Sequence, residues 1–169
     1  MTTHIDIEEL RERFRYEPDT GDFYLRYSVK KSFDTSKKVG CLHKASGYIY
    51  LWHKRQTISA HRLAWALTYG EWPKLIDHID QNKANNCIEN LRIAKPWENG
   101  INQPARNKLG VKGVRAIGQR FQAQIKFRKK DIRIGMFDTL DEAAHAYNKR
   151  AIELFGEFAV LNPVGQAKP

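Results

Sequence analysis

Cysteine is scarce in this chain: Cys41 and Cys87 are the only two among 169 residues. They form no CxxC pair and, with His43 and His53, lack the paired spacing of a structural zinc site. A four-thiolate centre and a disulfide framework are both excluded, which points to a reducing compartment. No apolar run reaches the roughly eighteen residues of a membrane span, and no charged-then-apolar leader opens the chain, so a soluble cytoplasmic protein without membrane contact is expected. Internal repeats and low-complexity tracts are missing too, which sets aside solenoids and disordered arrays. Acidic side chains are also in short supply: 19 Asp and Glu face 29 Lys and Arg, for a formal net charge of +10. Such an imbalance predicts a polyanionic partner.

The positive charge is unevenly placed. Between residues 109 and 137 there are 8 basic groups and 1 acidic one, against 11 and 8 in residues 1–60. A hydrophobic content of 41% is enough for folded modules with modest cores, either as one domain or as small ones in series.

In the first sixty residues, Ile7, Leu10 and Phe14 recur at helical spacing, Pro18 to Asp22 is turn-like, and Phe23–Tyr27, Tyr48–Trp52 and Thr57–Ala60 read as strands. Lys30, Lys31, Lys37, Lys38, Lys44, Lys54 and Arg55 interleave with Tyr27, Tyr48, Tyr50 and Trp52. That pattern suits either a surface that follows a phosphate backbone or an ordinary basic surface over a small core.

The run from Ile76 to Asn102, IDHIDQNKANNCIENLRIAKPWENGIN, reads strand, loop, strand, helix, with Pro96 suited to the first helical turn. Asp77 offers a hard oxygen ligand and His78 a base that is neutral near physiological pH. Asn90 lies in the loop and Asn99 on the helix. Phosphodiester hydrolysis needs a nucleophile activated on one side of phosphorus and charge neutralised where the 3′ oxygen leaves, which a histidine and a divalent cation supply together. Asp77 and His78 would face opposite ways in a regular strand, so the strand is expected to end or distort there. Asn82, Asn85 and Asn86 read as plain loop residues, and His61 as a packed histidine at a helix start.

Over Ala60 to Asn102, including AHRLAWALTYGEWP, the sequence resembles the HNH endonucleases of the ββα-metal fold, in the phage- and intron-encoded homing form. The resemblance implies that His78 is the general base, that Asn90 orients its imidazole, and that Asp77 and Asn99 hold one divalent cation. The last motif residue is Asn rather than His, which in that family favours Mg2+ or Mn2+ over zinc. Arg62, beside the site, is a candidate contact to the scissile strand.

After a polar linker, GVKGVRAI (Gly110 to Ile117), RFQAQIKFR (Arg120 to Arg128) and IRIGMF (Ile132 to Phe137) read as three strands. In the middle one Phe121, Ala123, Ile125 and Phe127 alternate with Gln122, Gln124, Lys126 and Arg128, giving one apolar and one cationic face. Thr139 to Glu142 form a capping box, and Leu140, Ala143, Tyr147, Ala151 and Leu154 recur at helical spacing, so a helix is expected on the apolar face. Gly110 to Asn162 resembles the AP2/ERF DNA-binding domain through GVRAI, FQAQIKF, IRIGMFDTLDEAAHAYNKRA and GEFAVLN. The resemblance implies that the open sheet lies in the major groove, with Arg115, Gln124, Lys126, Arg128 and Arg133 as base or phosphate contacts.

The expected architecture is α+β: an antiparallel lead-in over residues 1–60, a ββα-metal module over 61–108, and a three-stranded sheet packed on one helix over 109–169. The expected activity is Mg2+- or Mn2+-dependent cleavage of double-stranded DNA, by a monomer or homodimer in the cytoplasm of a bacterial host. The alternative is a non-catalytic DNA-binding protein with a relic HNH module. RNA is the poorer fit, because the open sheet lacks clustered aromatic stackers.

Overall fold

Short apolar stretches broken by glycines and charged pairs favour hairpins over long strands. The computed structural model accordingly shows, among the described residues, four small antiparallel sheets and four α-helices. It describes residues 6–27, 34–105 and 107–165, with the side chain of Asn99 outside that description. The chain divides into two units, residues 1–95 and 96–169.

In the first unit Asp6 caps α1 (Ile7–Arg13) by accepting from the amide of Glu8 at 3.0 Å. Phe14, whose spacing suggests the end of that helix, instead opens β1 (Phe14–Glu17). Its reason is cross-strand pairing: Phe14 faces Leu25 and Tyr16 faces Phe23 of β2 (Asp22–Leu25), and the two aromatics keep their core contacts in extended backbone. β3 (Lys38–Val39) adds to β2, while β4 (Cys41–Leu42), β5 (Ile49–His53) and β6 (Gln56–Ser59) form a second sheet. α2 (Ala60–Tyr69) follows and stops at Gly70, whose φ of 78° closes the helix in left-handed backbone. Leu10, Phe23, Leu51, Ile58 and Leu63 share one core with Ile76 and Leu91. That core anchors β7 (Ile76–His78) against β8 (Leu91–Ile93).

The turn between β1 and β2 grips the loop that joins β7 to β8. Gly21, at φ 74°, lies so close that an added Cβ would sit 2.5 Å from the Asn86 carbonyl carbon and 2.6 Å from the Cys87 nitrogen. The amide of Ile88 donates to Pro18 O at 2.9 Å, and the Tyr16 hydroxyl donates to Asn86 O at 2.7 Å. Only glycine permits both the backbone angle and the approach.

The second unit begins with α3 (Pro96–Ile101). Its sheet runs β11 (Lys130–Phe137), β10 (Arg120–Phe127), β9 (Val114–Ile117), all antiparallel. α4 (Leu140–Phe155) opens with the Thr139–Glu142 capping box and buries Ala143, Ala144, Tyr147 and Ala151 against the sheet. Opposite Ala123 and Gln124 the register slips by one residue, and Ile134 is inserted into β11, where it packs against both apolar clusters. Asn162 ties the unit shut, donating to Lys112 O at 3.0 Å and to Asn148 Oδ1 at 2.7 Å. No helix among the described residues is long and apolar enough to cross a membrane.

Candidate functional site

β7 ends at His78, so the two residues that alternation would point apart stand at the mouth of the loop. Both are buried, Asp77 at 3% and His78 at 4% relative exposure. Directly across the ladder from Asp77 is Arg92, whose Nε and Nη2 donate to Asp77 Oδ2 at 2.9 and 2.8 Å. The guanidinium fork fixes the orientation of the buried carboxylate.

The imidazole of His78 meets Asn86: His78 Nε2 and Asn86 Oδ1 lie 3.3 Å apart. Asn86 is itself 1% exposed, and its Nδ2 donates to Ala84 O at 3.2 Å, which leaves Oδ1 as the atom facing the ring. An oxygen there requires a proton on Nε2, so the neutral ring carries its lone pair on Nδ1. Burial lowers the pKa of His78, with the Asn86 hydrogen bond opposing that shift in part. The base form therefore persists below the ordinary histidine range.

Asn90 works on the loop. Its Nδ2 donates to Asp80 Oδ1 at 2.9 Å and to Asn85 O at 2.8 Å, while its Oδ1 accepts from the Asp80 amide at 3.0 Å. Asn90, expected to orient the imidazole, closes the loop that carries Asn86, and Asn86 makes the contact to the ring. Asp80 is the hub that the sequence did not single out. It also accepts from the amide of Asn82 at 2.8 Å and from Asn85 Nδ2 at 2.7 Å. Desolvation would raise its pKa, but the bonds from Asn85, Asn82 and Asn90 prevail and hold it low. The spacing Asp80, Asn82 was the available signal, since Asp and Asn two residues apart favour such Asx turns.

Two rings pack against the imidazole of His78. Tyr48 lies 4.9 Å from His61 and 6.0 Å from His78, centroid to centroid, and His61 meets His78 edge-on at 5.2 Å and 70°. Lys83 Nζ stands 4.8 Å over the Tyr48 ring and donates to Ser46 O at 3.1 Å. Arg62 turns its Nε to Pro73 O at 3.2 Å, with its guanidinium 5.7 Å from the Trp72 ring.

Asn99 lies on α3 in the second unit, and its side chain is outside the described residues. No group of three or more His, Cys, Asp or Glu that could hold a metal occurs among the described residues. The single buried carboxylate at Asp77 is a hard oxygen donor of the kind a divalent cation takes.

On the second unit, the pairs Arg115–Gln122 and Gln124–Arg133 face each other across the ladder and share the sheet face that α4 leaves open, together with Lys126. Arg115 Nε donates to Gln122 Oε1 at 2.8 Å, which accounts for the burial of Gln122 on an otherwise polar face. Arg128 departs from the alternation. It and Lys129 form the left-handed turn between β10 and β11, at φ 47° and 67°, and its guanidinium sits 5.1 Å from the Phe127 ring.

The HNH endonuclease family profile matches residues 59–101, which include α2, the β7–β8 hairpin and α3. An uncharacterized HNH endonuclease, L560 of Acanthamoeba polyphaga mimivirus, is 40% identical over 90 residues, 53% of this chain and 47% of the relative. The chain therefore spans about half the length of that relative. Protein 3.8 of Escherichia phage T7 is 35% identical over 105 residues, 59% of this chain and 86% of the relative.

Proposed function

From a chain that carries an HNH endonuclease domain and belongs to one family with phage T7 Protein 3.8, we propose a metal-dependent DNA endonuclease of the homing type in which His78 is the general base. The observation that carries this reading is the desolvated imidazole of His78, bonded through Nε2 to Asn86 beside the buried Asp77. Nδ1 takes the proton of a water as its oxygen attacks phosphorus; the bond from phosphorus to the 3′ oxygen breaks, and that oxygen is protonated by solvent. Asp77 and Asn99 are the proposed protein ligands, Asn99 by family resemblance. Mg2+ or Mn2+ held there would supply the Lewis acidity that neutralises charge at the leaving oxygen. Asn86 fixes the tautomer, Asn90 and Asp80 hold the loop in shape, and Arg92 holds the carboxylate. Arg62 is proposed as a phosphate contact beside this centre.

Delivery falls, in this reading, to the AP2/ERF-like segment from Gly110 to Asn162. Arg115, Gln124, Lys126 and Arg133 present long polar groups on one sheet face, with Arg128 at its turn, as a surface reading the major groove of double-stranded DNA requires. A phage or intron origin accords with the phage relative, and the cytoplasm of a bacterial host is the proposed setting.

One observation favours a second reading, a DNA-binding protein whose HNH portion no longer cuts: the fork of Arg92 already neutralises Asp77. Incubating supercoiled plasmid with the protein and Mg2+, against EDTA, separates the two. Nicked or linear product that EDTA abolishes supports the nuclease; retarded but uncut plasmid supports the binder.

A further inference from the structure

His61 has no part in the reading above, yet it is the neighbour of the base with the least structural excuse. It stands at the second position of α2, packed between Tyr48 and His78, and its Nδ1 is buried with no hydrogen-bond partner. A buried nitrogen in that state lowers stability, and an apolar ring of similar size would fill the place without the penalty. Polar atoms left unsatisfied in a well-packed wall mark positions where folding yields to function. Burial, aided by His78 and Arg62, lowers the pKa of His61 to about 3, so its ring is uncharged wherever the protein works.

We propose that His61 is a positioning residue of the nuclease centre, whose imidazole holds the His78 ring in its Asn86-bonded orientation and is retained for cleavage rather than for folding. The inference rests on His78 being the general base. Two features distinguish it from ordinary packing. The edge-on contact restricts the tilt of the His78 ring from the α2 side, while Asn86 holds it from the loop side, so the two restraints come from opposite elements. Tyr48 backs both rings and is held by Lys83, which anchors to the turn at Ser46. The base is thus clamped by Asn86, His61 and Tyr48 from three places in the chain, and of these described groups His61 bears the unmet hydrogen-bonding capacity.

The test compares His61→Phe and His61→Asn with the wild type in the full chain. Phe keeps a ring and removes the orphaned nitrogen; Asn keeps a polar atom near Nδ1 and loses the ring's bulk. Thermal melting, plasmid affinity without metal, maximal Mg2+-dependent nicking rate and the 15N shifts of the His78 ring are measured on each. The expected pattern sets stability against activity. His61→Phe melts at or above the wild-type temperature and binds plasmid within about two-fold, but nicks roughly ten-fold slower or worse, with His78 shifts moved toward tautomer averaging. His61→Asn melts lower yet nicks faster than His61→Phe. Unchanged nicking in His61→Phe, or nicking that falls only in step with melting in both variants, overturns the proposal. Should the wild type itself fail to nick, the nuclease reading falls. The 15N shifts then still decide the contact: unchanged His78 shifts in both variants overturn it, and moved shifts support it.

Discussion

Tyr16 reaches across seventy positions of sequence to donate its hydroxyl to the backbone carbonyl of Asn86 at 2.7 Å, and Asn86 in turn faces His78 Nε2 at 3.3 Å. The lead-in hairpin therefore holds the residue that faces the His78 ring. Burial of the phenol raises the Tyr16 pKa well above the tyrosine range, so this donor keeps its proton at any working pH. Tyr16→Phe should lower stability by about 1 kcal/mol in urea melts and slow nicking by more than that loss explains, because the carbonyl it leaves unmet belongs to the residue that fixes the His78 tautomer. Nicking at the wild-type rate would detach the hairpin from the site.

Gly21 should tolerate nothing larger. Gly21→Ala puts a methyl into the backbone of Asn86 and Cys87 at a left-handed φ, and a loss of roughly 2 kcal/mol or more is expected by chemical denaturation. An alanine variant of wild-type stability would show that the turn does not press on the loop.

The acid limb of stability carries the signature of His61. Its folded pKa of about 3 lies below the 6.5 of an ordinary imidazole, so the unfolded chain binds the extra proton between those two values. Stability is complete above the unfolded pKa and declines as pH falls below it, by at most about 1.4 kcal/mol per pH unit for one group, with His78 adding in the same direction. His61→Phe should flatten that decline in melts taken across the window. An equally steep decline in the variant would place the sensitivity elsewhere.

Much of this architecture was legible in the sequence, for reasons that can be named. α4 was readable because Thr139, Glu142 and a stripe of small and apolar residues encode both its start and its buried face locally. β7 and β8 were readable because a strand, an Asn-rich loop and a second strand leave few alternatives. Asn86 was not. Asn82, Asn85, Asn86 and Asn90 are chemically identical, and which one meets the imidazole is decided by Tyr16, Pro18 and Gly21 gripping the backbone from far away in sequence. Phe14 misled because one apolar position serves a helix end and a strand start equally well, and only pairing with Leu25 decides. Arg128 continued a numerical alternation past the point where the chain turns.

The two kinds of basic residue on the second unit should separate experimentally. Replacing Lys126 or Arg133 with Ala should weaken plasmid binding and reduce its salt slope by about one each, with melting unchanged. Arg128→Gly should also weaken binding, but it should raise stability by up to about 1 kcal/mol, because glycine adopts the left-handed turn without strain. Salt slopes indistinguishable from the wild type would remove this sheet from the DNA interface.

The most direct test of the central claim is the nicking rate of His78→Ala at plasmid occupancy matched to the wild type, with Mg2+ present. The account predicts that nicking falls by roughly a hundred-fold or more while occupancy is reached at nearly the same protein concentration. Nicking that persists within a few-fold of the wild type would contradict it, as would nicking lost only in proportion to binding.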